Sequence, residues 1–387
     1  MKKFVLAGTF LTHYMLSLFQ KFADMPDLDC KFIATIPFSE TMLKWGVPDT
    51  NQLPFVVRAY ESKESESLAH RLIDEADYVA ASGIPVNFIS SRLKLGRLTF
   101  MHSERFFKGP LWKDAVRYLK YNIFHGGRSQ GRDKKSKFYL LSTGAFAAWD
   151  YRICGLFKDK AYKWGYLPEL KKYDDVYGLI SNKKKSKILW AGRYIDWKHP
   201  EIAVMLAKNL RDMGIDFTMK IAGGGELKDI LSGMINAYGL NDCVDINTSA
   251  GLTPEQIRKE MEESQIFLFT SDRGEGWGAV LNEAMNSGCA VVAGEKIGAV
   301  PYLLKHGKNG LIFRDKDVKD LTEKVLSLLR KPEMIPVLGR NAYETIANEW
   351  NPETAAKRLI KLSEALIESD EPVSLWEDGP GSIAPVI

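Results

Sequence analysis

Ten short apolar runs, each five to seven residues long and most ending in Gly, Ser or Thr, constrain this chain more than any other feature. They are FVLAG (4–8), KFIATI (31–36), YVAASG (78–83), LTFMHS (98–103), FYLLST (138–143), KILWAG (187–192), FTMKIAG (217–223), CVDINT (243–248), IFLFTS (266–271) and AVVAG (290–294). Runs of that length without polar alternation fit strands buried on both faces, as in a parallel sheet. Helical stretches such as 200–214 and 253–264 separate many of them. Strand–helix alternation predicts an α/β chain with parallel sheets. Ten strands are many for one sheet and comfortable for two.

Length agrees. At roughly 150 residues per domain, a chain of 387 residues holds two or three domains. The alternation breaks between Gly165 and Ser186, a polar stretch with one proline that ends in a lysine run. It reads as a linker with a solvated lysine run. Three parts follow: 1–165 and 166–350, both doubly wound and Rossmann-like, and 351–387, a C-terminal helix packing back on the first domain plus a loosely held tail. In such sheets ligands sit beyond the carboxyl ends of the strands.

The balance of 45% hydrophobic and 26% charged residues is that of an ordinary soluble protein. A net charge of +4 points to no nucleic acid partner. Four scattered cysteines form no CxxC pair, which argues against a zinc site or a disulfide framework and fits a reducing cytoplasm. The opening MKKFVLAGTFLTHYML is interrupted by Thr9, Thr12 and His13, so it reads as a first buried strand, Phe4–Ala7, with a turn at Gly8. No run is long enough to span a membrane.

Three stretches carry chemistry. After the strand KILWAG, Gly192 permits a tight turn, and Arg193 and Lys198 lie on the loop that enters a helix near Pro200. Two cations beside a helix N-terminus suit an anion such as a diphosphate; alone, the loop is equally an ordinary polar connection. Gly223 and Gly224 open a GGGE turn that lets backbone approach a ligand closely. It is not a G-x-G-x-x-G fingerprint, and a plain turn stays open. In SDRGEGWGAVLNEA, Glu275 falls on a loop and Glu283 on the helix behind it, with Gly276, Trp277 and Gly278 between. The amides of those three residues precede the helix and are available to a ligand. Two carboxylates reached from two points suit an elongated, polyhydroxylated ligand; a helix cap and a surface glutamate are the alternatives.

Taken together and in this order, GR…K, GGG, E-x7-E, SGCAVVAG and GKNGLIF resemble the family-four retaining glycosyltransferases. These enzymes have the GT-B fold, two Rossmann-like domains facing a central cleft, and move sugars from nucleotide donors. The likeness covers about Lys187 to Phe313 and runs on less closely through 345–362. It implies that Arg193 and Lys198 hold the donor diphosphate, that Glu275 meets the donor sugar, and that Glu283 meets the ribose. It further implies that Gly276–Gly278 face sugar and phosphates, with Trp277 where phenylalanine is usual, and that the Gly8 turn meets phosphate or acceptor. A histidine near the transferred sugar is matched by His102, with His13 a competing position. IGAVPYLL keeps one glycine of the family's pattern and lacks its acid.

The implied activity is a retaining, metal-independent transfer from a UDP- or GDP-sugar to a saccharide or lipid-linked acceptor, in surface-polysaccharide assembly, with no cofactor. A basic, aromatic segment, 105–137, is a candidate for peripheral contact with the inner face of a membrane; a solvated helix on its own domain competes. Other readings of the whole chain are a nucleotide-sugar epimerase, a phosphorylase, or a non-catalytic sugar or nucleotide binder.

Overall fold

The computed structural model describes all residues except 39–49, 110–111, 117, 119–128, 134 and 247–251. It divides into two compact units, Met1–Glu169 with Asn351–Ile387, and Leu170–Trp350. The sequence places the division at 165/166; the chain in fact crosses four residues later and returns at 350/351.

Unit 1 holds seven strands: β1 Lys2–Gly8, β2 Leu28–Ala34, β3 Val56–Arg58, β4 Tyr78–Ser82, β5 Thr99–Glu104, β6 Phe138–Thr143 and β7 Ala161–Trp164, in the order β3-β2-β1-β4-β5-β6-β7. Unit 2 holds six: β8 Lys184–Arg193, β9 Thr218–Gly224, β10 Val244–Ile246, β11 Ser264–Phe269, β12 Ala290–Gly294 and β13 Leu311–Phe313, in the order β10-β9-β8-β11-β12-β13. Every pairing within both sheets is parallel. Helices therefore cover both faces, and the central strands are buried along their length, as β6 and β12 are at every residue. Both orders reverse once. In unit 2 the chain runs outward from β8 through β9 to β10, then returns to the other side of β8 with β11.

The helix Pro200–Asp212 shows why the local sequence folds as it does. Pro200 takes the first turn, where its missing N–H costs nothing. Ile202, Ala203, Leu206, Ala207 and Leu210 form a buried stripe at helical spacing. Gly214, at φ +66°, follows its end. The helix Pro254–Glu263 starts at a capping box in which Thr253 and Gln256 bond each other's backbone. The helix Pro352–Glu368, capped by Asn351, packs on the helix His13–Ala23 of unit 1. No helix among the described residues is long and apolar enough to cross a membrane.

Three expectations are corrected. The tail is not loose: Lys163 N–H donates to Ser382 O at 2.7 Å and Ala384 N–H to Ala161 O at 2.9 Å, so the tail lies along the outer edge of β7. A bare parallel edge leaves half its backbone groups unpaired, and the tail fills them. The lysine run is solvated only at Lys184 and Lys185, and it is not a connector. Lys183 is buried, donating to the carbonyls of Met261 at 2.7 Å and Glu262 at 3.0 Å, and Lys184 begins β8. The stretch 165–186 is not a free linker either: it contains the helix Val176–Ser181, and Lys171 exchanges two 2.9 Å bonds with Asn286.

Of the basic segment 105–137, residues 110–111, 117, 119–128 and 134 lie outside the described residues. Its described ends are used inside unit 1. Arg105 is buried against Asp150 at 3.1 Å, the other oxygen of Asp150 accepts from the Phe106 and Phe107 amides at 3.0 Å, and Phe107 is in the core.

Arg92 is fully buried and donates to the carbonyls of Ile73, Ala76, Asp77 and Leu98. Replacing it by Met strands those acceptors without water. We expect a loss on the order of 3 kcal/mol, read as a lower urea midpoint for unit 1. A change under about 0.5 kcal/mol, the size of an ordinary surface substitution, would contradict the structural role.

Candidate donor site

In unit 2 the loops after β8, β9, β11 and β12 all leave the same edge of the sheet, because all the strands are parallel. The β8 loop runs Tyr194–His199 and includes a single helical turn, Asp196–Lys198. The β11 loop runs from Thr270 to the helix Val280–Asn286. These are the two loops at the point where strand order reverses.

Thr270 joins them. Its hydroxyl accepts from the Trp190 indole at 2.7 Å and lies 2.8 Å from Lys198 O and 3.0 Å from His199 O. Asp272 N–H donates to Trp197 O at 2.9 Å. Held this way, Lys198 Nζ forms an ion pair with Glu275, and Ser271 Oγ donates to the same carboxylate at 3.1 Å. Arg193, exposed at the end of β8, lies over the Trp197 ring at 5.6 Å. A flat guanidinium on an indole face is fixed in direction without losing its donors.

Glycines set how closely the backbones approach. A Cβ on Gly223, at φ +153°, would stand 1.8 Å from Gly192 O, and one on Gly298 would stand 1.7 Å from Gly276 O. Gly192 itself abuts Lys198 Cδ, where a Cβ would come within 3.1 Å. Gly224, the last residue of β9, accepts from Tyr194 N–H at 2.8 Å. The N–H groups of Gly276, Trp277 and Gly278 have no partner among the described residues, while the Trp277 ring is fully buried. Its indole donates to Asn282 at 2.9 Å, and its ring packs on Tyr302 and Trp350. Trp277 therefore offers a ligand its backbone, not its side chain. Glu283 is half-buried on the helix; burial pushes its carboxyl up, with Arg258 partly offsetting this.

The structure thus brings Gly192, Arg193, Lys198, Gly223, Gly224, Glu275 and the Gly276–Gly278 amides to one edge of one sheet. Gly8 and His102 belong to unit 1. Gly8 ends β1, its carbonyl accepting from Thr35 N–H at 3.0 Å. His102, on β5, is buried beside Tyr166, with ring centroids 6.0 Å apart, and burial lowers its imidazole to about 4. It lines a cavity of about 100 Å3 with Ile84, Ile89, Leu93, Met101 and Tyr151, so it is a neutral ring in apolar surroundings. The sequence reading passed over Trp197, His199, Thr270, Asp272 and Lys316. Of these, Thr270, directly after a buried strand, is the one that the sequence signals.

Residues 177–345 match the family described as glycosyl transferases group 1. That segment is a glycosyl transferases group 1 domain. The domain covers β8 to β13 and so contains every residue of the edge described above. The chain is 29% identical over 187 residues to the amylovoran biosynthesis glycosyltransferase AmsK of Erwinia amylovora, covering 46% of this chain and 45% of that protein. It is 28% identical over 163 residues to the poly(ribitol-phosphate) alpha-N-acetylglucosaminyltransferase of Staphylococcus aureus (strain COL), covering 42% and 31%. The matches thus span less than half the length of these curated relatives. Among solved structures, Anabaena HepE in complex with UDP covers 94% of this chain and 100% of that one, at TM-score 0.63 and 15% identity. Sucrose-phosphate synthase from Thermosynechococcus elongatus covers 95% and 100%, at TM-score 0.62 and 13% identity. The chain has the GT-B fold, two parallel-sheet α/β units of seven and six strands.

Two outcomes follow. Gly298→Ala must push the Gly276 carbonyl away; we expect a lower melting temperature and a disordered Glu275 loop, read by amide exchange, and an unchanged loop would contradict the close approach. His102 binds its proton more weakly folded than unfolded, so its contribution to stability is present above about pH 6.5 and is lost as pH falls toward about 4. For this one group the slope is at most about 1.4 kcal/mol per pH unit. Urea titrations at several pH values should show His102→Gln losing that share of the acid sensitivity; an identical pH profile would refute a buried neutral ring.

Proposed function

We propose that the chain is a retaining glycosyltransferase. It would transfer a sugar from a UDP- or GDP-linked donor to a saccharide or lipid-linked acceptor in surface-polysaccharide biosynthesis, without a metal ion. The observation that carries this reading is the Lys198–Glu275 pair where strand order reverses, with Arg193 beside it. One cation and one carboxylate side by side suit a ligand whose diphosphate adjoins a polyol. The names of the relatives support polysaccharide assembly as the setting, and HepE, a relative in fold, was solved with UDP.

The chemistry follows from where charge grows. As the bond from the anomeric carbon to the diphosphate breaks, negative charge builds on the leaving phosphate and positive charge on the sugar. Arg193, Lys198 and the Gly276–Gly278 amides are fixed before reaction, so they would stabilise that phosphate without reorganising. Glu275 would accept from sugar hydroxyls, and Glu283 from the ribose. Retention of anomeric configuration rests on the family resemblance. The acceptor is assigned to unit 1, where Gly8 and His102 lie. Trp112 and Val116 in the 105–137 segment are exposed, which favours peripheral membrane contact if the acceptor is lipid-linked.

Arg193→Ala or Lys198→Ala should lower kcat by about a hundredfold or more, as loss of a transition-state charge partner does. Wild-type turnover in either would refute the diphosphate role. Glu283→Ala should weaken nucleoside diphosphate binding by about tenfold or more, read by calorimetry. Undiminished affinity would refute the ribose role. A thermal-shift panel of nucleoside diphosphates and nucleotide sugars identifies the donor, because a ligand of the native state raises the melting temperature.

A further inference from the structure

His199 stands between the two loops of the donor edge in an unusual backbone state. Its φ of 49° and ψ of 54° are left-handed, a conformation that favours glycine and costs other residues steric strain. It directly precedes Pro200, at the start of the helix Pro200–Asp212. A glycine there would fold without that strain, so the side chain is where a function should be sought.

The side chain makes two bonds. Nδ1 lies 2.7 Å from Glu201 Oε1, and Nε2 lies 3.2 Å from Asp272 Oδ2. Asp272 organises the β11 loop: its Oδ1 accepts from Gly274 N–H at 2.7 Å, and its carbonyl accepts from Glu275 N–H at 3.0 Å. Glu275 then meets Lys198, the residue next to His199. A closed path of contacts therefore runs from His199 through Asp272 and Glu275 to Lys198.

We propose that His199 is a positioning residue: its imidazole, donating from both nitrogens, ties the start of the helix Pro200–Asp212 to the Asp272 turn and so sets the direction of Glu275 toward the donor. This rests on the donor-site reading above. The charged groups around the ring agree with it. Glu201 faces it from its own helix and Asp272 from the β11 loop. From the segment after β13, Lys316 lies 2.8 Å from Asp272 Oδ2, and Asp315 is near enough to feel the ring's charge. Burial opposes the cation, yet the bonds to Asp272 and Glu201 outweigh it and raise the imidazole to about 9. Burial likewise pushes the Asp272 carboxyl up, but the bonds from His199 and Lys316 hold it well below the usual carboxylate range. A neutral ring can donate from only one nitrogen, so one of the two acids loses its donor on deprotonation. With its proton held more tightly folded than unfolded, the ring adds stability that is fully present below about pH 6.5 and is lost as pH rises through about 9.

The test uses the full chain with His199→Gln and His199→Gly, the second relieving the backbone strain so that folding is not at issue. At pH 7 we expect amide exchange at Gly274 and Glu275 to quicken by about tenfold in both, for loss of a charge-assisted bond, with the strands of unit 2 unchanged. Binding of UDP and GDP, followed by calorimetry from pH 7 to 10, should weaken with a midpoint near 9 in the wild type. In the variants it should already be about tenfold weaker at pH 7 and should fall less steeply than the wild type toward pH 9, keeping only the limb that the nucleobases' own ionisation gives. Wild-type exchange at Gly274 in His199→Gly, or faster exchange spread evenly through unit 2, would overturn the proposal. So would an alkaline limb of equal size in the wild type and both variants. If neither nucleoside diphosphate binds the wild type, the donor reading fails, while the exchange measurement still decides whether His199 sets the loop.

Discussion

Parallel pairing of β8 with β11 is the constraint on which the rest of the site depends. A parallel sheet sends every strand out at the same edge, and each must be followed by a crossover. Where successive crossovers run to opposite sides, the loops of two neighbouring strands diverge and leave a crevice between them. In unit 2 that place is between β8 and β11. Thr270, bonded to Trp190 within the sheet and to Lys198 and His199 beyond it, fixes the floor of the crevice. The cations and carboxylates above it are then set by backbone geometry rather than by flexible side chains alone.

Close packing of backbone on backbone supplies the second requirement. Gly223 against Gly192 at the paired ends of β9 and β8, and Gly298 against Gly276 between loops, leave no room for a Cβ. The Gly276–Gly278 stretch is thereby pressed into place while its amides have no partner among the described residues. Beneath it the Trp277 ring, packed at a tilt against the stacked pair Tyr302 and Trp350, is a hydrophobic anchor. Backbone polar groups held on a buried aromatic base are expensive to deform, which suits electrostatic stabilisation by groups fixed in advance.

The architecture was legible in the sequence because central parallel strands are buried on both faces and read as unbroken apolar runs. All ten runs contain or overlap a strand. The strands that escaped notice, β3, β7 and β13, are three or four residues long and lie at sheet edges, too short to show a pattern. The tail escaped for a related reason. Its contacts with β7 are made by backbone, and no side-chain periodicity records them. At the proposed donor edge, the positions of Arg193 at the end of β8, and of Lys198 and Glu275 on the loops after β8 and β11, could be read from the sequence, since they adjoin legible strands. His199 and Asp272 could not. Their importance comes from a contact across 73 positions of sequence and from a left-handed backbone, neither of which a one-dimensional pattern displays.

The most direct measurement is a crystal structure of the chain soaked with UDP or GDP. A diphosphate within about 3 Å of Lys198 Nζ and the Arg193 guanidinium, with the ribose hydroxyls on Glu283, is the expected result. A nucleotide bound elsewhere in the ordered chain, with the Lys198–Glu275 pair unaltered and the Gly276–Gly278 amides still unpaired, would contradict the assignment of this edge as the donor site.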